Sequence, residues 1–418
     1  MKHVYEKGNF MRSSAFSNLK TPGIKYALNL ALLQGIFWVA WAFGNYSNYY
    51  LQLNGFTPAQ IGALNSVCNI TGIAAAFIFG YISDRINSVK KIFAFTLATG
   101  GVLFSIAPLI PLKYSYSVVM IFVYFALTNF FRGTNPTFLD NISVRTCAVV
   151  GINFGLIRCV GSITFSVAST LVQPVINAVG VGSIFPISGL LLLLTLLLLA
   201  FSYDPKSSDD VDRERKKEPL SLKPLLKNYY YVTFIVFSAV FYLAYNSEYS
   251  FLTYFFEERG IGMSRFGIFV AVRALTEVPM LLLMKRLRRR LRLKYAIVAA
   301  VLLISTYFLG LGLVAHSIGS MLFFAVLFGT GNGLLIGAFS TYLYKLAPYE
   351  LKATAQTIYG AVSCAAGIAG NFCGGFIYDA LRGSYYTLLG AATLFSALLF
   401  TAALLLRRSI PNPGDELN

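Results

Sequence analysis

Charge is what this sequence has least of. Only 12% of its 418 residues are Asp, Glu, Lys or Arg, against 56% hydrophobic, and the mean hydropathy is +0.66. A soluble domain carries roughly 25% charged residues. A chain this long has too little polar surface to cover itself in water, which sets aside soluble enzymes, disordered scaffolds and nucleic-acid binders. Histidine is nearly missing as well: His3 and His316 are the two. The five cysteines (Cys68, Cys147, Cys159, Cys364 and Cys373) are odd in number, form no CxxC pair and lie in or beside apolar runs. A zinc site and a disulfide framework are therefore not expected. Two isolated histidines also leave no nucleophile–base pair for a membrane enzyme, and no cofactor is called for. The first apolar run, Ala27 to Phe43, exceeds a signal-peptide core and precedes no small-residue cleavage site, so it reads as a retained span.

What fills the sequence instead is a series of apolar runs. A membrane-spanning helix needs about 20 such residues. The runs predict twelve spans: 26–50, 59–82, 91–111, 115–138, 152–175, 182–202, 229–254, 264–284, 295–315, 320–344, 354–377 and 385–406. The one long polar stretch, 203–228, mixes charge signs and reads as a linker. The expected organisation is an N-terminal segment (1–25), a six-span half (26–202), the linker (203–228), a second six-span half (229–406) and a tail (407–418). Two such halves around a polar linker match transporters built from repeats.

The net charge of +17 is distributed as topology. Lys and Arg crowd the N-terminus, the 83–91 loop, the linker, the 285–294 loop and Arg407–Arg408, alternating correctly over an even number of spans. Both termini, the linker and these loops are expected in the cytoplasm of a cell-membrane protein. The bilayer is the expected partner, nucleic acid is not, and a monomer is the expected state.

The loop after the second span reads Gly80-Tyr-Ile-Ser-Asp84-Arg85, then Lys90-Lys91. This resembles the G-x-x-x-D-R signature of the major facilitator superfamily. A glycine permits close helix approach, and an Asp beside cations suits a charge-assisted latch between helix ends. Further stretches resemble the branch containing lactose-permease-like, nucleoside and phenylpropionate permeases. They are Asp140 to Arg145 with Phe154-Gly155-Leu-Ile-Arg158, Phe266-Gly267 with Arg273 to Pro279, and Ala353 to Tyr359 with Gly374 to Asp379. The resemblance implies an all-α protein of twelve transmembrane helices in two six-helix halves around a central cavity. It also implies secondary active transport by alternating access.

Ionisable residues inside a membrane are costly and mark pathways or buried pairs. Glu248 and Glu277 are the acids placed inside spans; Asp140 and Asp379 are placed in loops or at span ends. Arg132, Arg158 and Arg273 are the inner cations. By resemblance, Arg158 holds the solute, its fork suiting a diol or a carboxylate; a buried structural pairing is the alternative. Arg273 and Glu277, four residues apart, share a helix face. They read either as a fixed ion pair or, with Glu248, as proton-coupling groups. Arg132, ahead of a helix break at Gly133 to Pro136, is expected at the cytoplasmic face in preference to the cavity. Trp38, Trp41, Asn45, Tyr245, Asn332 and Gln356 are the remaining solute-binding candidates. The amides suit hydroxyls or helix-to-helix bonds equally, and the aromatic faces suit sugars or nucleobases. The expected function is proton-coupled import of a small polar solute, with a sugar or oligosaccharide favoured over a nucleoside or aromatic acid. A drug exporter lacks its usual fifth-span Gly/Pro signature here, and a membrane sensor would normally add a soluble domain.

Overall fold

The computed structural model describes residues 22–111, 117–202, 222–287, 292–348 and 351–406. Most of the N-terminal segment, linker and tail expected above lies outside the described residues, as does part of the 285–294 loop. The described residues are helical almost throughout. Several spans begin where a polar side chain satisfies the first free N–H groups. Thr57 and Gln60 form a capping box ahead of Pro58–Arg85, Asn228 accepts from Tyr230 and Tyr231, and Ser317 caps Ile318–Leu346.

Twelve spans result, three of them broken. The first runs Pro22–Gly44 and resumes at Ser47–Leu53. The seventh runs Tyr229–Ser247, tightens through a 3-10 turn at Glu248–Phe251, and ends as Leu252–Glu258. The fourth splits into Ser117–Arg132 and Asn135–Val150. Pro136 has no N–H to offer the carbonyl four residues back, at Arg132, so the ladder stops there. The second piece outruns the expected end at 138 and stops only at Gly151, whose φ of 77° suits a residue without a side chain. Asp140 therefore sits within a helix, and Asp379 likewise lies inside Lys352–Leu381. Among the described residues, nine stretches are long and apolar enough to cross a membrane on their own. In that set the eleventh and twelfth spans run together through a 3-10 turn, and the fourth is split into two shorter pieces.

The two halves repeat one packing scheme. In the first half, span one packs on five and six, two on four, and three on four and six. In the second half, seven packs on eleven and twelve, eight on ten, and nine on ten and twelve. The halves meet along two seams, second against eleventh and fifth against eighth. These seams are narrow enough that a Cβ on Gly62 would strike the Asn371 carbonyl and one on Gly267 the Ser169 carbonyl.

Hydrogen bonds that join the halves between described residues cluster at one end, opposite Arg85 and Lys90. Ala59 N–H donates to Asp379 (3.2 Å), Gln52 to Glu257 (2.5 Å), Asn65 to Ser250 (2.9 Å) and Ser66 to the Ile368 carbonyl (2.9 Å). The Tyr254 hydroxyl reaches the Phe56 carbonyl there as well. The result is a closed end above a central polar cavity.

Candidate functional site

The break in the seventh span turns Glu248 into the core of the second half. Its two oxygens accept Nη1 and Nη2 of Arg273 at 2.8 and 3.0 Å, and Oε1 also accepts the Tyr307 hydroxyl at 2.5 Å. Both residues are buried. The guanidinium lies over the Phe328 ring, 3.7 Å from its centroid, with Phe269, Tyr249 and Tyr307 around it. Arg273 thus pairs with Glu248 from another span, and the same-helix pair with Glu277, one of the two readings above, does not form. Helix spacing put Glu277 on the right face, but it could not show that a carboxylate from the seventh span approaches the fork head-on.

Glu277 takes a different partner. Its Oε2 accepts Asn332 Nδ2 at 2.9 Å, and Asn332 Oδ1 accepts the Tyr245 hydroxyl at 2.6 Å. Tyr245 is stacked in turn on Phe328 and Phe241. Among the described residues no cation lies within 4 Å of Glu277. Arg158, from the first half, remains within electrostatic reach across the interior.

Arg158 sits on the fifth span, Phe154–Val179, in a mixed network. Nη1 donates to Ser162 at 3.1 Å, Nε is 3.9 Å from Asp140, and the guanidinium covers the Trp38 ring at 4.3 Å. Gln34 ties these together: it donates to Asp140 and Ser143 and accepts the Trp38 indole N–H at 2.9 Å. Asp140 was expected outside the span and does reach this arginine, because the second helical piece continues past it. Gln34 was missed in the sequence, where nothing distinguishes one buried glutamine from a surface one.

The cavity has two adjoining lobes of about 340 and 560 Å³ that share Trp41, Asn65, Cys68, Asn69, Asn129 and Ser250. Asn45 and Asn48 complete the amide wall of the first lobe, opposite Tyr249. Asn246 and Asn371, from the second half, line the other. Several of these amides also bond helix to helix: Asn129 to the Cys68 carbonyl, Asn246 to the Ser363 carbonyl and Asn65 to Ser250. Of the two functions anticipated for the amides, the helix-to-helix one is therefore present in this wall. Arg132 lines the first lobe and is not at the cytoplasmic face. It is the site residue that sequence reasoning placed wrongly.

The remaining candidates separate. Trp41 and Asn45 face the cavity, whereas Trp38 and Tyr245 serve the Arg158 and Glu277 networks. Gln356 is exposed and joins none of these groups. In the loop motif, a Cβ on Gly80 would meet nothing within 4 Å, so no helix approaches it closely in this state. Asp84 and Arg85 are exposed at the helix end. Lys90 bonds the Ala200 and Ser202 carbonyls at 2.9 and 2.7 Å, capping the sixth span from within its own half, and Lys91 is exposed.

Comparison with known proteins agrees with this architecture. The model of the MFS_1 like family matches residues 37–387. The chain is 24% identical over 360 residues to the uncharacterized transporter YwbF of Bacillus subtilis (strain 168), covering 84% of this chain and 85% of the relative. A mutant form of the nucleoside transporter NupG superposes with a TM-score of 0.76 at 15% identity, covering 90% of this chain and 99% of that one. A POT family transporter in complex with a thioalcohol-conjugated peptide superposes with a TM-score of 0.66 at 11% identity, covering 92% and 96%. At these identities the structures bear on the fold.

Proposed function

The chain belongs to the MFS_1-like family of membrane transporters, and from that premise we propose that it is a proton-coupled symporter importing a small polar solute. Hydroxylated solutes suit the cavity, because an asparagine wall offers a donor and an acceptor at each side chain. A sugar or oligosaccharide is the favoured class. A nucleoside is the second reading, supported by the nucleoside transporter NupG among the similar folds and by Trp41 and Tyr249 facing one lobe.

The observation that carries the coupling is the contrast between the two inner acids. Glu248 is locked by two charge-assisted bonds and a tyrosine. Glu277 is held by one neutral amide and can exchange a proton without breaking an ion pair. Glu277 is therefore the proton carrier of this reading, Glu248 and Arg273 the rigid frame beside it, and Arg158 the group that couples it to the solute. With the basic loops in the cytoplasm of the cell membrane, and the chain acting as a monomer, the joined end is the outer one and this state faces inward. The domain limits 26–202 and 229–406 become the two rocking bodies.

The test is Glu277→Gln in proteoliposomes. This permanent mimic of the protonated acid should lose accumulation driven by a pH gradient while keeping exchange of labelled for unlabelled solute. Accumulation that survives the change removes Glu277 from the coupling step.

A further inference from the structure

Arg132 is a partly buried cation that no acid among the described residues neutralises. Its guanidinium is sandwiched between the Trp41 ring, 4.3 Å from the centroid, and the Phe104 ring, at 4.1 Å. Among the described residues no carboxylate pairs with it and no acceptor takes its protons: Nε and Nη2 are covered and unpartnered, with Nη2 against Gly44. This leaves Nη1 as the nitrogen open to the first lobe. The other inner arginines do not share this state, since Arg273 has Glu248 and Arg158 has Asp140. Nor is Arg132 alone on its stretch. The Thr128 hydroxyl, one turn earlier, lines the same lobe beside Tyr124, and that of Thr134 lines the second; both side chains are buried, and Thr134 is unpartnered among the described residues. Asn69 and Asn129 complete the wall. A donor set with a stranded positive charge at its centre is built for an anion. Two aromatic faces hold the guanidinium plane and direct donation to its edge, and an oxyanion in the lobe supplies the missing charge and an acceptor for Nη1.

We propose that Arg132 and Thr128 form an anion subsite that binds the carboxylate of the transported solute, so that the solute is an acid carrying hydroxyl or ring groups on the asparagine wall. This rests on the reading of the cavity as a solute site, but not on proton coupling or direction. It differs from placing the charged group of the solute on Arg158, whose donors already serve Ser162 and Asp140.

The chain has two tryptophans, and Trp41 is in contact with the subsite. Purified full-length protein carrying Trp38→Phe reports on that one indole by fluorescence. Iodide should quench Trp41 and caesium should not. Arg132→Gln should lower iodide quenching several-fold while quenching by neutral acrylamide is unchanged, which also shows that the variant is folded. Arg132→Lys, a point charge without the fork, covers the case in which Gln does not fold and should retain part of the effect. Protection from iodide is then measured with matched pairs: glucuronate and glucose, galacturonate and galactose, benzoate and benzyl alcohol. At least one acid should protect about 10- to 100-fold better than its neutral partner, with Arg132→Gln, or Arg132→Lys if Gln does not fold, erasing the difference. Equal iodide quenching with and without Arg132 overturns the subsite. Iodide quenching that no acid relieves makes it a site for small inorganic anions and overturns the solute assignment. Acid binding in a protein that shows no pH-driven uptake would sink the coupling reading and leave the subsite standing.

Discussion

The Glu248–Arg273 pair is the place where energetics decide between rival roles. Replacing Glu248 by Gln keeps the shape and one acceptor but removes the charge facing two N–H donors at 2.8 and 3.0 Å. Removing one partner of a buried ion pair strands the other charge and costs about 3–5 kcal/mol. The Phe328 ring 3.7 Å from the guanidinium does not offset this, because it is present before and after the change. Arg273→Met in the same chain removes the stranded charge and lays a thioether against that ring. The double variant should then lie closer to the wild type than either single change, with a coupling energy on the order of 1.5 kcal/mol or more. Unfolding in mixed detergent–SDS micelles, followed by circular dichroism, measures all four corners of the cycle. Glu277→Gln serves as the control: it keeps an oxygen for Asn332 and should cost below about 1 kcal/mol. Additivity of the two changes within about 0.5 kcal/mol, or a Glu248→Gln variant as stable as the wild type, would refute the clamp. Glu248 would then be free to carry the proton.

Arg158→Lys keeps the charge but loses the geometry that spans Ser162, Asp140 and the Trp38 face. It should weaken solute binding about 10- to 100-fold, read by thermal shift or calorimetry, without unfolding the chain. In a background lacking the five native cysteines, a cysteine at Lys91 should resist impermeant thiol reagents in intact cells and one at Ser384 should react; the opposite pattern overturns the orientation. Gly375→Leu puts a side chain where a Cβ would already lie 2.7 Å from the Pro58 carbonyl. It should hold the halves apart at the joined end, seen as loss of the disulfide that cysteines at Gln52 and Glu257 form in the parent protein.

The broad architecture was legible because apolar runs of span length allow few other outcomes in lipid, and because Lys and Arg mark one side. The breaks were less so. Pro136 announced the interruption of the fourth span, yet the span resumes for four more turns and carries Asp140 to Arg158. Nothing comparable marks Glu248–Phe251, where tertiary contacts with Arg273, Tyr307 and Tyr386 hold the tightened turn. For Arg273, the sequence offered the near partner at helical spacing, and the fold chose the distant one with better fork geometry. Arg132 was misjudged because snorkelling is the usual way out for such a residue, and only the positions of Trp41 and Phe104 show that it stays inside.

The glycine seams bear on how often the halves can separate and meet again. At Gly62, Gly267 and Gly375 the contact is with the opposing carbonyls of Asn371, Ser169 and Pro58, backbone on backbone. Glycine has no rotamers to freeze, so closing such a line costs little side-chain entropy and opening it frees little. The seam behaves like a hinge plate rather than a lock. What resists opening is the small set of polar bonds at its rim, from Gln52–Glu257 to Ala59–Asp379, each of which water in the opened cavity can replace.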